Sequence, residues 1–217
     1  NPTYDVSRDS CAGIVRGGGD IFGVADVNDP NGLYPGLNGG SQQASGIDIA
    51  FGWGFEPEWL GAPSWAGSVT TSVMLTHLLE WKQQDLNSLP DLDYAGTVSF
   101  FGEGLGTSFP EWKAVWNTRW TVADFDLDVR AQYIASMDNR ASVIFPVETS
   151  FTGTDAVWYW DVAGTWNITD NASIRLGVNN LFDEQPPEYA PNVQSGTDPS
   201  LYDVVGRRVF GQIALRY

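Results

Sequence analysis

The chain has 217 residues, of which 42% are hydrophobic and 13% aromatic, and this much apolar surface excludes a disordered polymer. Its 11 Lys and Arg against 27 Asp and Glu give a net charge of −16, which repels phosphate backbones and excludes nucleic acid as a partner. No apolar run approaches the roughly 18 residues of a transmembrane helix, and no segment has the form of a signal peptide.

Apolar and polar side chains alternate along the chain in runs of about ten residues, which is the pattern of β-strands with one apolar and one wet face. Turn-rich segments separate these runs. We predict about eight strands from this pattern. In chain order the runs cover residues 20–27, 46–55, 69–81, 113–120, 125–133, 157–168, 174–179 and 208–217, the first and third being the weakest.

The connections between the predicted strands alternate between short and long. Ala123-Asp124 and Thr169-Asp170-Asn171 are tight turns, whereas the long connections cover residues 84–110, 138–156 and 183–205. Residues 56–67 depart slightly from this rule, because they form a longer connection on the short-turn side. Short turns on one rim and long loops on the other are typical of bacterial outer-membrane β-barrels, whose long loops lie outside the cell.

Tryptophan spacing gives a second test of a membrane barrel. Trp158 and Trp166 are eight residues apart, which is about 26 Å along a strand and roughly 20 Å of height at a tilt near 40°. The apolar band of an outer membrane is about 25 Å tall and has aromatic residues at both edges. We therefore predict that the membrane-girdle aromatics include Trp158, Trp160, Trp166 and Tyr217.

A soluble antiparallel sandwich is the alternative explanation of the alternation, since it buries one face of each strand against a second sheet. It predicts that Trp158, Trp166, Ile213 and Leu215 meet in a dry core. Strands of about ten to twelve residues exceed the usual five or six. The strand length therefore favours the barrel.

Two stretches near the C-terminus carry a family resemblance. The sequence SIRLGVNNLFD at residues 173–183, followed by Pro186-Pro187, resembles the penultimate strand of the TonB-dependent receptors, which rises into their last extracellular loop. The sequence YDVVGRR at residues 202–208 resembles the start of their last strand, and the chain ends on an aromatic residue, as theirs do. Residues 11–16 and 45–49 are similar to a region in which a strand descends to the periplasm.

The resemblance implies a barrel of about 22 strands with an N-terminal plug in its lumen. Residues 1–217 are then expected to supply about eight C-terminal strands of the wall. The plug, the TonB box and the first strands are absent, so we expect a fragment that is not transport-competent alone. The intact protein is expected to be a receptor in the bacterial outer membrane that imports a scarce nutrient, namely a siderophore–iron complex, cobalamin or an oligosaccharide.

Four partners follow from the same resemblance. The barrel wall contacts the lipid bilayer of the outer membrane, and the lumen or loops contact the small-molecule nutrient. The TonB energy-transducing complex acts through the missing N-terminal part. The barrel-assembly machinery acts through the C-terminal strand.

Candidate functional side chains lie on the wet strand faces and in the long loops. The lumen-facing candidates are Arg119, Arg130, Asp161 and Arg175, which either steer substrate, contact a plug or form ion pairs between strands. The loop candidates for ligand contact are Trp112, Tyr189 and Tyr202, whose rings suit stacking on a sugar or an aromatic chelator. Interface anchoring and packing within the loops remain open alternatives for these three.

The sequence gives little support for catalysis, and we expect neither an enzyme, a cofactor nor a metal site. His77 is the only histidine, and no Gly-x-Ser-x-Gly elbow accompanies it. Asp126 and Asp128 share a strand face and are explained as wet-side carboxylates, although such pairs also serve acid–base chemistry. Cys11 is the only cysteine, so it forms no internal disulfide and no zinc site, and residues 26–32 lack the spacing of a calcium-binding loop.

Two further functions stay open. A self-contained eight-stranded outer-membrane barrel would be an adhesin or a structural protein, and its first and last strands would pair with each other. A fragment would instead leave both edge strands free to pair with other chains. A soluble carbohydrate-binding sandwich with exposed tryptophans comes third, and it would stay in solution without detergent.

Overall fold

The computed structural model describes residues 41–84, 92–98, 108–141, 151–189 and 196–216. The chain divides into two compact units, one of residues 1–43 with 82–92 and one of residues 44–81 with 93–217. Of the first unit, only residues 41–43, 82–84 and 92 are described, and they are strand ends. The predicted strand at residues 20–27, Cys11 and Tyr217 lie outside the described residues.

The second unit consists almost entirely of β-strands and connections. The strands in chain order are β1 (Ser41–Phe55), β2 (Ser68–Gln84), β3 (Leu92–Asp93), β4 (Thr97–Val98), β5 (Trp112–Val122), β6 (Phe125–Ile134), β7 (Met137–Asn139), β8 (Gly153–Thr154), β9 (Val157–Thr169), β10 (Ala172–Asn179) and β11 (Arg208–Leu215). The start of β1, the end of β2 and the start of β3 belong to the first unit. In the described ranges, no helix is long and apolar enough to cross a bilayer.

The main sheet has the order β1-β2-β5-β6-β9-β10-β11, with β3 paired to β2. Its neighbours are antiparallel from β2 to β11 wherever the register is defined, which confirms the predicted antiparallel β-structure. Among the described strands, β1 and β11 stand at opposite ends of this order, and no closed barrel is seen. The predicted number of strands is not confirmed, because residues 20–27 are not described.

The connections of the main sheet alternate as the sequence predicts. Ala123 and Asp124 join β5 to β6, and Ala123 has a left-handed φ of 48°. Asp170 and Asn171 join β9 to β10. The connection between β1 and β2 contains two short 3-10 helices, Pro57–Leu60 and Ser64–Ala66. The long connections lie at the other end of the strands.

Register places the apolar side chains of neighbouring strands on one face, because directly paired residues point to the same side of a sheet. Trp120 is paired with Leu127, and Tyr133 with Trp158. Ile174 is paired with Trp166 on one side and with Ile213 on the other. We call this surface the apolar face.

The apolar face is uncovered in the described part of the chain. Trp158 and Trp166 are 47% and 46% exposed, and Ile213 and Leu215 are 71% and 72% exposed. The dry core that a soluble sandwich predicts for these four residues is therefore wrong. Soluble monomers rarely expose contiguous apolar surface on this scale, and such surface marks contact with a membrane or a partner.

The buried core lies instead at the long-loop end. Strands β4, β7 and β8 form a second, three-stranded sheet in which β4 and β7 are parallel. Strands of two or three residues are too short for an alternating pattern, so sequence analysis placed these residues in loops. We call the associated core the loop cluster; its buried members are Val98, Ile134, Met137, Val157, Tyr159, Tyr189 and Tyr202.

Candidate functional site: the polar face of the sheet

The face opposite the apolar face carries the charged side chains, and we call it the polar face. Arg119 is paired with Asp128, and Arg130 with Asp161. A depression of about 540 Å³ runs over this face. The structure brings together all four lumen-facing candidates, since Arg119, Arg130, Asp161 and Arg175 all line this depression.

Asp128 connects two of these arginines. Its Oδ1 accepts a hydrogen bond from Nε of Arg119 at 2.7 Å, and its Oδ2 accepts one from Nη1 of Arg175. The same Arg175 nitrogen also lies 3.0 Å from Oγ1 of Thr165. Arg119, Asp128 and Arg175 thus join strands β5, β6 and β10 by inter-strand ion pairs, which was one of the alternatives left open.

Small residues on β9 and β10 make room for the Arg175 side chain to cross the sheet to Asp128. Arg175 on β10 contacts Asp128 on β6, although β9 lies between these strands. At this level β9 presents Ala163, which is paired with both Asp128 and Gly177. A Cβ on Gly177 would lie 2.8 Å from the Ala163 Cβ, so the two positions together leave no room for larger side chains.

Asp126 forms a separate set of contacts one step along β6. Its Oδ1 accepts a hydrogen bond from the Thr121 hydroxyl at 2.6 Å, and its Oδ2 one from the Asn167 amide at 3.3 Å. Both Asp126 and Asp128 therefore act as hydrogen-bond acceptors for neighbouring strands. In the described ranges, no group of three or more His, Cys, Asp or Glu side chains is arranged to hold a metal ion.

Asp161 and Arg130 differ in their contacts. The Asp161 Oδ1 accepts a hydrogen bond from the backbone N–H of Asn180 at 2.9 Å, so this carboxylate holds the start of a long loop against the sheet. Within the residues that the structure describes, the exposed guanidinium of Arg130 forms no ion pair. Three arginines against Asp128 and Asp161 give the depression a surplus of one positive charge (3 − 2), in a chain whose net charge is −16.

The motif residues that carry the family resemblance build the base of the last long loop. Asn180 is buried with a left-handed φ of 50°, and its side-chain amide holds Glu184 by two bonds of 2.8 and 2.9 Å to the Glu184 backbone. The Asp183 Oδ1 accepts a hydrogen bond from the Arg207 backbone N–H at 2.9 Å. These contacts hold residues 180–184 beside the start of β11.

Gly206 is required at the same place. Its φ is 78°, a conformation that other residues rarely adopt, and a Cβ there would lie 3.0 Å from Oδ1 of Asp183. The neighbouring Arg208 donates a hydrogen bond from Nη2 to the Asp203 carboxylate at 3.1 Å. The sequences LFD and YDVVGRR therefore meet in space, which sequence analysis did not predict.

Two of the three loop candidates for ligand contact are buried. Tyr189 and Tyr202 are 5% and 3% exposed and pack within the loop cluster. The Tyr202 hydroxyl lies 3.3 Å from Oγ1 of Thr154, and the Tyr189 hydroxyl 3.2 Å from Oγ of Ser108. Burial raises the pKa of both phenols above the ordinary value of 10.0. In this conformation both rings pack within the loops, and their contact with a ligand stays a prediction.

The third loop candidate, Trp112, lies at the start of β5. Its ring stacks on His77, with 3.7 Å between ring centroids and an interplanar angle of 8°. His77 is therefore part of an aromatic stack on the apolar face, since it is also the backbone partner of Trp112. This placement agrees with the structural role that we expect for this histidine.

The predicted girdle aromatics occupy two levels of the apolar face. Trp158 contacts Tyr133 and Trp160 near the long-loop end, at 4.7 and 6.1 Å between ring centroids. Trp166 stacks on Phe125 at the short-turn end at 5.8 Å. Their contact with membrane interfaces stays a prediction.

Comparison with known proteins was made at three levels. No protein-family model matches the sequence, and no curated protein matches it. Among solved structures, two crystal structures of mutant receptors match with TM-scores of 0.48 each and identities of 14% and 16%. A third, in complex with enterobactin, has a TM-score of 0.46 and 16% identity.

All three are ferric enterobactin receptors of Pseudomonas aeruginosa. The matches cover 80%, 79% and 79% of this chain but only 22% of each receptor, so the chain spans about a fifth of the length of the structures it resembles.

Proposed function

We propose that this chain is part of the barrel wall of an outer-membrane TonB-dependent transporter. The observation that carries the proposal is the apolar face, which runs uncovered across the described strands while the opposite face holds ion pairs. A barrel wall with lipid outside and water inside would have this division into an apolar and a polar face. A charged side chain that faces lipid destabilises the barrel, whereas one that faces a wet lumen does not. The motif residues at the base of the last long loop support the same family.

Residues 1–217 would be a C-terminal segment of the wall, with the plug and the N-terminal strands encoded elsewhere in the protein. Among the described strands the order is linear, with β1 and β11 at its two ends, which is the arrangement expected for a segment of a larger wall. The TonB complex would act on the missing part, and the barrel-assembly machinery on the C-terminal strand. The segment by itself would not transport, and it would not be an enzyme.

The transported nutrient would be a siderophore–iron complex, cobalamin or an oligosaccharide. The positive surplus of the depression favours an anionic nutrient, since an unpaired guanidinium in a lumen attracts negative charge. Arg130 is the candidate for this role, because Arg119 and Arg175 are already paired with Asp128.

The test uses the full product of the gene in its own cell. A strain that lacks the gene is compared with the parent for uptake of labelled iron chelate, cobalamin and oligosaccharide, with and without an uncoupler of the proton gradient. Loss of one uptake activity that the uncoupler also abolishes is the expected result. Unchanged uptake of every nutrient, or a gene product that fractionates without the membrane, would reject the proposal.

The site is tested by a charge-removing variant. Arg130→Gln should reduce the uptake of an anionic nutrient several-fold, whereas Arg216→Gln, which removes a cation beyond the end of β11, should leave uptake unchanged. Equal uptake by both variants would show that Arg130 does not contribute to nutrient binding. That result would not affect the proposal that the chain is part of a membrane barrel.

A further inference from the structure

The connection between β1 and β2 carries three large apolar side chains that are mostly exposed. Trp59, Leu60 and Trp65 are 72%, 67% and 72% exposed. They lie on or beside the two 3-10 helices of residues 56–67, the connection that is too long for the short-turn side. A surface loop in water would instead carry polar residues or fold these side chains inward.

The exposure does not come from a loosely held loop. The backbone N–H of Trp59 bonds to the Glu56 carbonyl at 3.0 Å, and that of Ala66 to the Pro63 carbonyl at 2.9 Å. Gly67 has a φ of 73°, and a Cβ at this position would collide with the backbone carbonyl oxygen of Thr121. The end of the connection is thus packed directly against the end of β5.

A hydrogen bond and a ring contact join this connection to tryptophans of the apolar face. The indole Nε1 of Trp120 donates a hydrogen bond to the Ala66 carbonyl at 2.7 Å. The ring of Trp53 meets that of Trp59 edge-on, with 6.0 Å between centroids, and stacks on Phe55 at 4.6 Å. The exposed side chains of the connection therefore continue the apolar face beyond the end of the strands.

From this continuity we infer that residues 56–67 form an interfacial membrane anchor, with Trp59, Leu60 and Trp65 inserted into the headgroup region of the lipid leaflet at the short-turn rim. The inference rests on the proposed function, which assigns the apolar face to lipid. Tryptophan suits this position because its ring is apolar and its N–H can bond at the wet boundary. Interfacial elements of this kind bury their apolar side chains about 5–10 Å into the headgroup and acyl boundary.

The charges of the connection point to a zwitterionic leaflet. Glu56 and Glu58 are its only ionisable side chains, so it has no cation to attract anionic lipid. Insertion should therefore depend on apolar contact and should not increase when anionic lipid is added.

The test places a fluorescent probe at single cysteines in the full gene product, reconstituted in phosphatidylcholine–phosphatidylethanolamine vesicles. The background carries Cys11→Ser and serine in place of any cysteine outside residues 1–217. The probe sites are Leu60→Cys and Trp65→Cys in the connection, Glu58→Cys as a matched polar control on the same 3-10 helix, and Leu176→Cys in the middle of the apolar face. Each probe is quenched by iodide from water and by nitroxide attached to lipid at two depths.

At positions 60 and 65, quenching by iodide should be several-fold weaker than at position 58, and the shallow nitroxide should quench more than the deep one. Position 176 should be quenched best by the deep nitroxide. Replacing part of the lipid with phosphatidylglycerol should not change these results.

Two outcomes overturn the inference while the proposed function stands, both with position 176 still in lipid. In one, positions 60 and 65 are as open to iodide as position 58, so the connection lies in water. In the other, neither iodide nor nitroxide reaches them, so a protein covers them. Iodide access at position 176 would instead reject the proposed function itself.

Discussion

Single positions on the polar face are limited by size as well as by charge. At Gly177 an added Cβ would lie 2.5 Å from Cζ of Phe210 and 2.8 Å from Cβ of Ala163. The Phe210 ring can turn aside, but Ala163 is fixed to β9 and cannot. The neighbouring Gly164 is different, since a Cβ there meets nothing within 4 Å.

We therefore expect Gly177→Ala to lower the free energy of unfolding by about 1–3 kcal/mol, the usual cost of overpacking. Gly164→Ala is the matched control and should be neutral or stabilising by up to about 1 kcal/mol, because it removes backbone freedom without a clash. Both values come from urea denaturation of the protein folded in phospholipid vesicles. Equal stability of the two variants would show that β9 and β10 are not closely packed at Gly177 and Ala163.

Residue types predicted the faces of the strands but not the contacts between them. Alternation alone places Arg119, Arg130, Asp161 and Arg175 on wet faces. Which of them meet depends on register, and no single strand carries that information. Asp128 links Arg119 to Arg175 only because β9 has an alanine at the level where the arginine crosses, so the network was not predictable strand by strand.

At the scale of elements, residues 180–184 hold the base of the last long loop against the sheet. Asn180 carries a left-handed backbone, two hydrogen bonds to Glu184 and one to Asp161. An alanine would lose the two side-chain bonds and leave the Glu184 N–H and carbonyl without their partners. Its backbone conformation would also be strained, since asparagine tolerates positive φ better than alanine does.

Asn180→Ala should lower the free energy of unfolding by about 1–3 kcal/mol, the usual cost of unsatisfied buried polar groups. It should also speed proteolytic cleavage within residues 180–207 more than elsewhere. Asn179→Ala, one residue earlier on the polar face, is the control and should change neither measurement appreciably. If the two variants behave alike, Asn180 does not hold the loop base.

The loop cluster should be sensitive to alkali. Burial raises the pKa of Tyr202 and Tyr189, so the folded cluster keeps its phenol protons at pH values where unfolded tyrosine loses them. The stability that this gives is fully present below pH about 10 and falls as the pH rises through the ordinary tyrosine pKa towards the folded values. Limited proteolysis of the long loops should therefore accelerate above pH about 10.

Tyr202→Phe supplies the control for this pH dependence, because it keeps the ring but cannot ionise. The variant should show a smaller increase in loop cleavage between pH 9 and 11 than the parent protein. Absorbance titration should find fewer phenols ionising near pH 10 than the 8 tyrosines of the sequence. Ionisation of all 8 near pH 10 without loop opening would contradict the buried placement.

The loop cluster could not be predicted from the sequence. Strands β4, β7 and β8 have two or three residues each, and β4 pairs with β7 across 38 residues of chain. No periodicity can be read from so few residues, and the pairing depends on contacts between distant loops. Their loop positions predict ligand contact for Tyr189 and Tyr202, whereas the folded loops bury both rings in a core.

At the scale of the whole molecule, the assignment depends on the two faces having different surroundings. Leu176 and Met74 allow a direct comparison, because they have almost the same exposure, 62% and 64%. Leu176 lies on the apolar face, opposite Gly164 and Gly211. Met74 lies on the polar face, since it is opposite Val115, which is opposite Gln132 in turn. Hydrophobicity and exposure do not distinguish the two residues.

If lipid covers the apolar face, Leu176→Arg should destabilise the folded protein by about 2–4 kcal/mol, the cost of a charge near the bilayer midplane. Met74→Arg should change stability by no more than about 0.5 kcal/mol, because a lumen-facing arginine stays hydrated. The measurements are urea denaturation in vesicles and the amount of protein assembled in the outer membrane. In a soluble protein, two side chains with this exposure would tolerate arginine equally, so equal effects at positions 176 and 74 would reject the membrane barrel whatever the family of the chain.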